Sequence, residues 1–339
     1  MIKIDKKSVS RKKSITVDFF YNQLKDKFNI TLLNKNADLS REIYEQNLHR
    51  PGLALAGFVD LFSYKRVQIF GNTEIKYLLY LSKEKRLKAL KRIFEYEIPC
   101  IVITNNNKPS PEVLNLATSY GVPIFKSKYS TTKIAFLISD FLDDQFAPRF
   151  SIHGSFVDVY GVGILFVGKS GIGKSEVALD LIERGHRLVA DDVVIFTKKG
   201  EGILMGAGTQ LVKHFMEIRG IGLIDVKSIF GIRAIRYQKR LEVVVELEIW
   251  DEKKHYTRTG LEKEFLNLMD VEIPYVKLPI LPGKNITVIS EIIALNYLLK
   301  HYGYDSAIEF QKKLLDTIKS KKIAKDDDRV IDYFEHDFE

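Results

Sequence analysis

The chain has little that could cross-link it or hold it in a membrane. Its 339 residues contain one cysteine, Cys100, which excludes an intrachain disulfide. Because Cys100 lies in the apolar run from Ile98 to Thr104, a buried strand thiol is expected there and not a nucleophile. No apolar stretch approaches the roughly 20 residues that span a bilayer. The basic N-terminus, M-I-K-I-D-K-K-S-V-S-R-K-K-S, is followed by no apolar signal core, so a cytoplasmic protein without a membrane partner is expected. Basic stretches alternating with aromatics are also missing. The formal charge of +8 comes from lysines and arginines interspersed with acids, which reads as solvated surface with a contribution from phosphate handling and not as a nucleic-acid face. Internal repeats and low-complexity tracts are absent as well. What remains, with 45% apolar residues, is a globular chain long enough for two domains with their own cores.

The stretch from Gly163 to Asp192 organises the rest. An apolar run, Ile164 to Val167, stops at a loop of Gly168, Lys169, Ser170, Gly171, Ile172, Gly173, Lys174 and Ser175, after which an amphipathic segment begins. The spacing fits G-x-x-x-x-G-K-[ST], in which backbone N–H groups curl around an anion at a helix N-terminus. In that pattern Lys174 reaches the β and γ phosphates and the Ser175 hydroxyl can ligate Mg²⁺. Val177, Ala178, Leu181 and Ile182 share one helical face, and Gly185 follows where a helix would end.

Upstream, Arg66 to Phe70 and Ile98 to Thr104 read as strands, as does Gly121 to Phe125; Thr73 is a candidate cap for one helix and Pro109-Ser110-Pro111 opens another. Lysines and arginines from Lys83 to Arg92 form a basic outer helical face. This alternation predicts a small N-terminal α/β domain over residues 1–140. Acids and Pro148 between Asp140 and Phe150 interrupt the apolar pattern and mark the boundary. A phosphate-loop domain over 145–305 and a C-terminal helix with a charged tail over 306–339 complete the division. Within the second domain F-V-D-V-Y-G-V-G-I-L-F-V reads as two strands meeting at Gly161, Leu241 to Trp250 as a strand, and Ser290 to Lys300 as a helix.

Asp191 and Asp192 end a strand 17 and 18 residues beyond Lys174. A carboxylate at a strand's carboxyl end, beside the loop in a parallel sheet, is where Mg²⁺ or an attacking hydroxyl would be met. Neighbouring side chains on a strand point to opposite faces, so the two acids should hold different posts. His153 lies ahead of the loop and could return to the edge of the site. Glu217 and Arg219 stand two apart in M-E-I-R-G-I-G, as a metal ligand beside a phosphate clamp or as a surface ion pair. Arg258 and Lys284 are cations in turn-like segments that suit anion binding. From these residues alone a small-molecule kinase, a switch ATPase and a nucleotide-responsive binding module all stay open.

Taken together the motifs resemble one family, the bacterial HPr kinase/phosphorylases. The residues that carry the resemblance are S-I-H-G-S-F-V-D-V-Y-G-V-G from Ser151, the loop with Glu176, R-G-H-R-L-V-A-D-D from Arg184, M-E-I-R-G-I-G-L-I-D-V from Met216 and P-I-L-P-G-K-N from Pro279, with R-P-G-L-A-L-A-G-F from Arg50 in the N-terminal domain. The resemblance implies an enzyme that phosphorylates a serine of the phosphocarrier protein HPr with ATP or pyrophosphate, and removes that phosphate with inorganic phosphate to give pyrophosphate. It implies Asp192 as the shared base and acid, with His153, Lys174 and Arg258 also catalytic, and Ser175 and Glu217 as magnesium ligands. It further implies a homohexamer, and a catalytic domain related to phosphoenolpyruvate carboxykinase.

Two departures from the family's pattern stand out. Lys169 replaces the usual acid of the loop, adding positive charge near the nucleotide. The segment associated with dephosphorylation, usually P-V-R-P-G-R-N, here comprises Pro279, Ile280, Leu281, Pro282, Gly283 and Lys284 before Asn285. Leu281 replaces an arginine and Lys284 lacks the bidentate fork, so a phosphorylase activity weaker than the kinase activity is expected. A loop that closes over the acceptor is expected at Gly231 to Tyr237.

Overall fold

The computed structural model describes residues 9–209, 213–253, 264–281 and 283–323. The chain divides into two compact units, residues 1–150 with 197–199 and residues 151–196 with 200–339.

The first unit contains β1 (Ile15–Thr16), α1 (Val17–Leu24), β2 (Ile30–Leu32), β3 (Glu42–Ile43), β4 (Leu48–His49), α2 (Gly52–Ala56), β5 (Val67–Phe70), α3 (Asn72–Tyr80), α4 (Lys83–Phe94), β6 (Ile101–Ile103), α5 (Pro111–Ser119), β7 (Ile124–Ser127) and α6 (Thr131–Phe146). Its five-stranded sheet has the order β2, β7, β6, β5, β4, with β4 to β7 parallel and β2 antiparallel at one edge. One face packs against Leu55, Leu78, Leu90, Ile93 and Val113 from α2 to α5. The other packs against Phe20 and Leu24 of α1 and Ile134, Ile138, Leu142 and Phe146 of α6. This is the expected α/β layering. Cys100 is fully buried just ahead of β6, and burial pushes its thiol far up from the usual range.

Two local expectations need correction. The acids from Asp140 to Asp144 do not interrupt a helix. They lie along α6, whose buried residues recur every fourth position, and the break comes after Phe146, at Ala147 and Pro148. Thr73 does not cap α3 either: Gly71 is the cap, its N–H donating to the Glu74 carboxylate at 2.8 Å.

The second unit holds β8 (Arg149–His153, begun in the first unit), β9 (Ser155–Val159), β10 (Val162–Gly168), α7 (Lys174–Glu183), β11 (Arg187–Ala190), β12 (Val193–Lys199, whose last three residues belong to the first unit), β13 (Ile203–Gly208), β14 (Phe215–Ile218), β15 (Gly222–Asp225), α8 (Val226–Phe230), β16 (Lys239–Arg240), β17 (Val243–Ile249), β18 (Glu264–Leu268), β19 (Val271–Ile280), α9 (Ile286–His301) and α10 (Ser306–Ile323). Its main sheet has the order β11, β9, β10, β17, β19, β18. β10, β17 and β19 are parallel neighbours, while β9 is antiparallel to both β10 and β11. The sheet is therefore mixed, and the expected direct neighbourhood of the loop strand and the aspartate strand is corrected: β9 lies between them. The tight turn at Tyr160 and Gly161 returns β9 onto β10 with Val159 opposite Val162. Since β9 reverses twice, β11 still runs in the direction of β10, and the carboxyl ends of β10, β11, β17 and β19 fall along one edge of the sheet.

α7 lays Val177, Ala178, Leu181 and Ile182 on this sheet, the face its periodicity predicts. Truncating Leu181 to alanine there would cost about 2–5 kcal/mol. α9 begins four residues earlier than its apolar pattern suggests, because the Asn285 side chain accepts the Val288 N–H at 3.0 Å. The 231–237 segment is not a free loop: Ile232–Ala234 forms a turn of 3₁₀-helix and the Arg236 N–H donates to the Leu188 carbonyl at 2.7 Å. No described helix is long and apolar enough to cross a membrane.

Candidate active site

The site grows from the end of β10. Gly168 has φ +145°, and a Cβ there would lie 2.4 Å from the Leu247 carbonyl oxygen of β17, so the loop can leave the strand only through glycine. Gly173 precedes the first turn of α7, whose N–H groups point into the curl of the loop. The Lys174 ammonium folds back over the loop, donating to the carbonyls of Gly168 at 3.3 Å and Lys169 at 3.1 Å. Lys169 and Ser170 are exposed on its rim, and Ile172 tucks under it against the core.

The two aspartates part at a three-residue turn. Val193 N–H donates to the Asp191 carbonyl at 2.9 Å, and the residue between them, Asp192, has φ +65°, a conformation that side chains disfavour. The turn sends Asp191 inward. Both of its carboxylate oxygens lie on the Ser175 hydroxyl, at 2.9 and 3.1 Å, and Ser155 donates a further short hydrogen bond. The Glu217 backbone N–H also supports it, yet burial dominates and holds its carboxyl above the usual carboxylate range. Asp192 faces out. Its carboxylate is 3.6 Å from His153 Nδ1, and both side chains are more than 70% exposed, at 73% and 82%. Its carbonyl receives the Gly154 N–H at 3.0 Å, which fixes the end of β8 beside the turn.

Hard oxygen donors meet where Ser175 and Asp191 touch, beside a loop shaped for phosphates, and this donor set suits a magnesium ion shared with phosphate oxygens. Among the described residues no cluster of three or more His, Cys, Asp or Glu could hold a metal by itself, which is the ordinary situation for that ion. Glu217 sits on β14 with its side chain exposed and reaches the site through its backbone N–H.

Arg219, in the turn after β14, brings its guanidinium onto the phosphate loop. Its Nη1 lies 2.4 Å from where a Cβ on Gly171 would be, and its Nη2 is 3.5 Å from Ser170 Oγ. Gly171, at φ +77°, is what admits it. The loop thus faces three cations, Lys169, Lys174 and Arg219.

The segment from Pro279 leaves β19 at the same sheet edge. Lys284 N–H donates to the Leu281 carbonyl at 3.1 Å and its ammonium to the Pro279 carbonyl at 3.2 Å, which closes a compact turn directly before α9. Pro282 and Arg258 lie outside the described residues.

Several partners were not legible beforehand. Ser155 reaches Asp191 through the pairing of β9 with β11, which no local pattern encodes. Glu291 is a buried acid on α9 held by Arg184 and His186. The buried positions of α9 are Ile286, Thr287, Ser290, Glu291 and Ala294, so the acid breaks no apolar pattern and the sequence carried no signal for it.

The family described as HPr Serine kinase C-terminal domain matches residues 144–314, and that described as HPr Serine kinase N terminus matches 19–142. A relative from Chloroherpeton thalassium, named HPr kinase/phosphorylase, is 56% identical over 98% of this chain and 99% of its own length. One of the same name from Prosthecochloris aestuarii is 51% identical over 95% of each. A solved structure, the Hpr(Ser) kinase/phosphatase from Coxiella burnetii, is 33% identical over 47% of this chain and 97% of that chain, with a TM-score of 0.43.

Proposed function

This chain belongs to the HPr kinase/phosphorylase family, and we propose on that premise how its second unit runs the two reactions. The protein is a phosphotransferase that acts on HPr in both directions, as serine kinase and as phosphorylase. The single observation that carries the division of labour is the divergence of Asp191 toward Ser175 and of Asp192 toward His153.

In the forward direction the loop amides and Lys174 grip the donor's phosphates, with Lys169 and Arg219 adding positive charge on the rim. Ser175 and Asp191 would hold a magnesium ion, with Glu217, whose backbone N–H meets Asp191, as a further ligand on the strength of the family resemblance. When bound, that ion neutralises phosphate charge and helps align the transferred group. Asp192, exposed and oriented by His153, accepts the proton of the HPr serine as its oxygen attacks the terminal phosphorus and the bond to the nucleoside diphosphate breaks. In the reverse direction an oxygen of inorganic phosphate attacks the phosphoserine phosphorus. The phosphorus–serine bond breaks, Asp192 returns its proton to the serine oxygen, and pyrophosphate leaves. One carboxyl serves both ways by microscopic reversibility.

ATP, with pyrophosphate as a second donor, fits the loop; Arg258 joins the site on the strength of the family resemblance. The Pro279–Lys284 segment serves phosphorolysis in this reading, supported by its place at the same sheet edge as the loop. A homohexamer in the cytoplasm and kinship of this unit with phosphoenolpyruvate carboxykinase belong to the same proposal. Incubation with γ-labelled ATP, Mg²⁺ and purified HPr, followed by a chase with inorganic phosphate, tests it. Label should move to HPr serine and then to pyrophosphate. Turnover of ATP without labelled HPr would overturn the reading in favour of another phosphate-loop enzyme.

A further inference from the structure

Far from the reacting groups, the end of α7 is tied to the start of α9. The Arg184 guanidinium, just past α7, grips the Glu291 carboxylate with two hydrogen bonds of 2.9 and 2.7 Å. His186 Nε2 lies 3.0 Å from the same carboxylate, and the Tyr160 ring closes over the imidazole with an edge contact at 4.6 Å. One turn earlier the Thr287 hydroxyl donates to Asp180 of α7 at 3.2 Å. Glu291 and His186 are each 6% exposed. A carboxylate this deeply buried is tolerated only while its partners stay in place, so the cluster permits one rotation and one height of α9 against α7.

α7 begins at the catalytic edge and α9 begins deeper along it, since the second residue of α9, Thr287, meets Asp180 and its sixth, Glu291, meets Arg184. α7 starts at the phosphate loop with Lys174, and its ten residues are a rod of about 15 Å. α9 starts one residue after Asn285, so the Pro279–Lys284 segment is its leader. Thr287 and Glu291 occupy the first two turns behind that segment. No described hydrogen bond or ion pair joins the segment to the loop directly. The bridges between the helices are therefore the polar side-chain link that relates one to the other.

We propose that Glu291, with Arg184, His186 and the Thr287–Asp180 pair, is a positioning device that keeps the Pro279–Lys284 segment in register with the phosphate loop. Its functional consequence rests on the reading that this segment serves phosphorolysis: loosening the clamp should weaken handling of inorganic phosphate while the loop, still carried on β10, continues to bind ATP. None of the clamp residues belongs to the phosphate loop or to the Asp192–His153 pair.

Hydrogen exchange followed by mass spectrometry, together with the kinetics of both reactions, tests this on the full chain. Glu291→Gln should speed amide exchange from Lys284 to Ser290 at least tenfold and raise KM for inorganic phosphate about tenfold, leaving KM for ATP and the kinase kcat within about twofold. Thr287→Val, which removes one hydroxyl and strands no buried charge, should move both readouts in the same direction by less. If Glu291→Gln does not fold, Arg184→Gln with Glu291→Gln, which leaves no unpaired buried carboxylate, takes its place. Unchanged exchange at residues 284–290 overturns the proposal. Faster exchange with the two activities still in proportion supports the clamp and overturns instead the role given to the segment.

Discussion

Ser175 and Asp191 meet hydroxyl to carboxylate, at 2.9 and 3.1 Å, while the next residue along the chain turns away from both. Consecutive acids thus have separate surroundings, one buried against the phosphate loop and one exposed beside a histidine. Their loss should be felt differently.

Asp192→Asn is expected to bind ATP with wild-type affinity and to lose about 10²–10⁴-fold in kcat for both phosphorylation and phosphorolysis, the range usual for a positioned base or acid. Asp191→Asn should instead raise the Mg²⁺ concentration needed for nucleotide binding. Titration calorimetry with and without Mg²⁺, set beside the two rates, distinguishes them. Retention of either activity by Asp192→Asn would remove it as the shared proton carrier.

Leu281→Arg should raise the phosphorolysis rate relative to the kinase rate several-fold. A planar fork suits phosphate, and Lys284, the nearby cation, has its ammonium on the Pro279 carbonyl. Comparable phosphoserine-HPr phosphorolysis in wild type and variant would count against this.

Gly171→Ala should weaken ATP binding by about tenfold or more, because it meets both a left-handed φ and the Arg219 guanidinium. Combined with Arg219→Ala it should cost less than the sum of the two single changes, since removing the guanidinium relieves half of the conflict. Nucleotide affinities of the four proteins, including wild type, close the cycle. Strict additivity would mean that the two residues do not meet.

A pH dependence follows from Glu291. The Arg184 hydrogen bonds hold its carboxyl below the usual glutamate range. Its folded value is thus lower than its unfolded one, near ~4.3. The stability it contributes is present above that value and is lost as the pH falls through the folded one. Melting temperature plotted against pH should therefore drop more steeply in the acid range for wild type than for Glu291→Gln. Parallel curves would show that the carboxyl does not titrate in that range on unfolding.

Much of this was legible in the chain because the signals are local. The phosphate loop, the four-residue apolar face of α7, the strands at 187–190 and 243–249 and the Tyr160–Gly161 turn each follow from a short pattern of spacing and turn chemistry. What escaped depends on pairing over distance. That β9 inserts between β10 and β11 is decided by a hairpin whose partner on the other side lies nearly thirty residues away, and with it went the Ser155–Asp191 contact. The Asp140–Asp144 acids misled for another reason: a charged face on a helix and a charged linker look alike until the buried residues at every fourth position are given their weight.

The three-residue turn at Asp192 also bears on how such a chain can vary. Lys174 and the two acids are separated by 17 and 18 positions spanning one helix and one strand, with no slack between them. Gain or loss of one residue there would hand the inward post to the wrong carboxylate. Descendants of this sequence are therefore free to exchange the exposed side chains of that interval that lie outside the site and the clamp, but not to change its length, and insertions should collect elsewhere, as in the exposed turn at Gly200–Gly202.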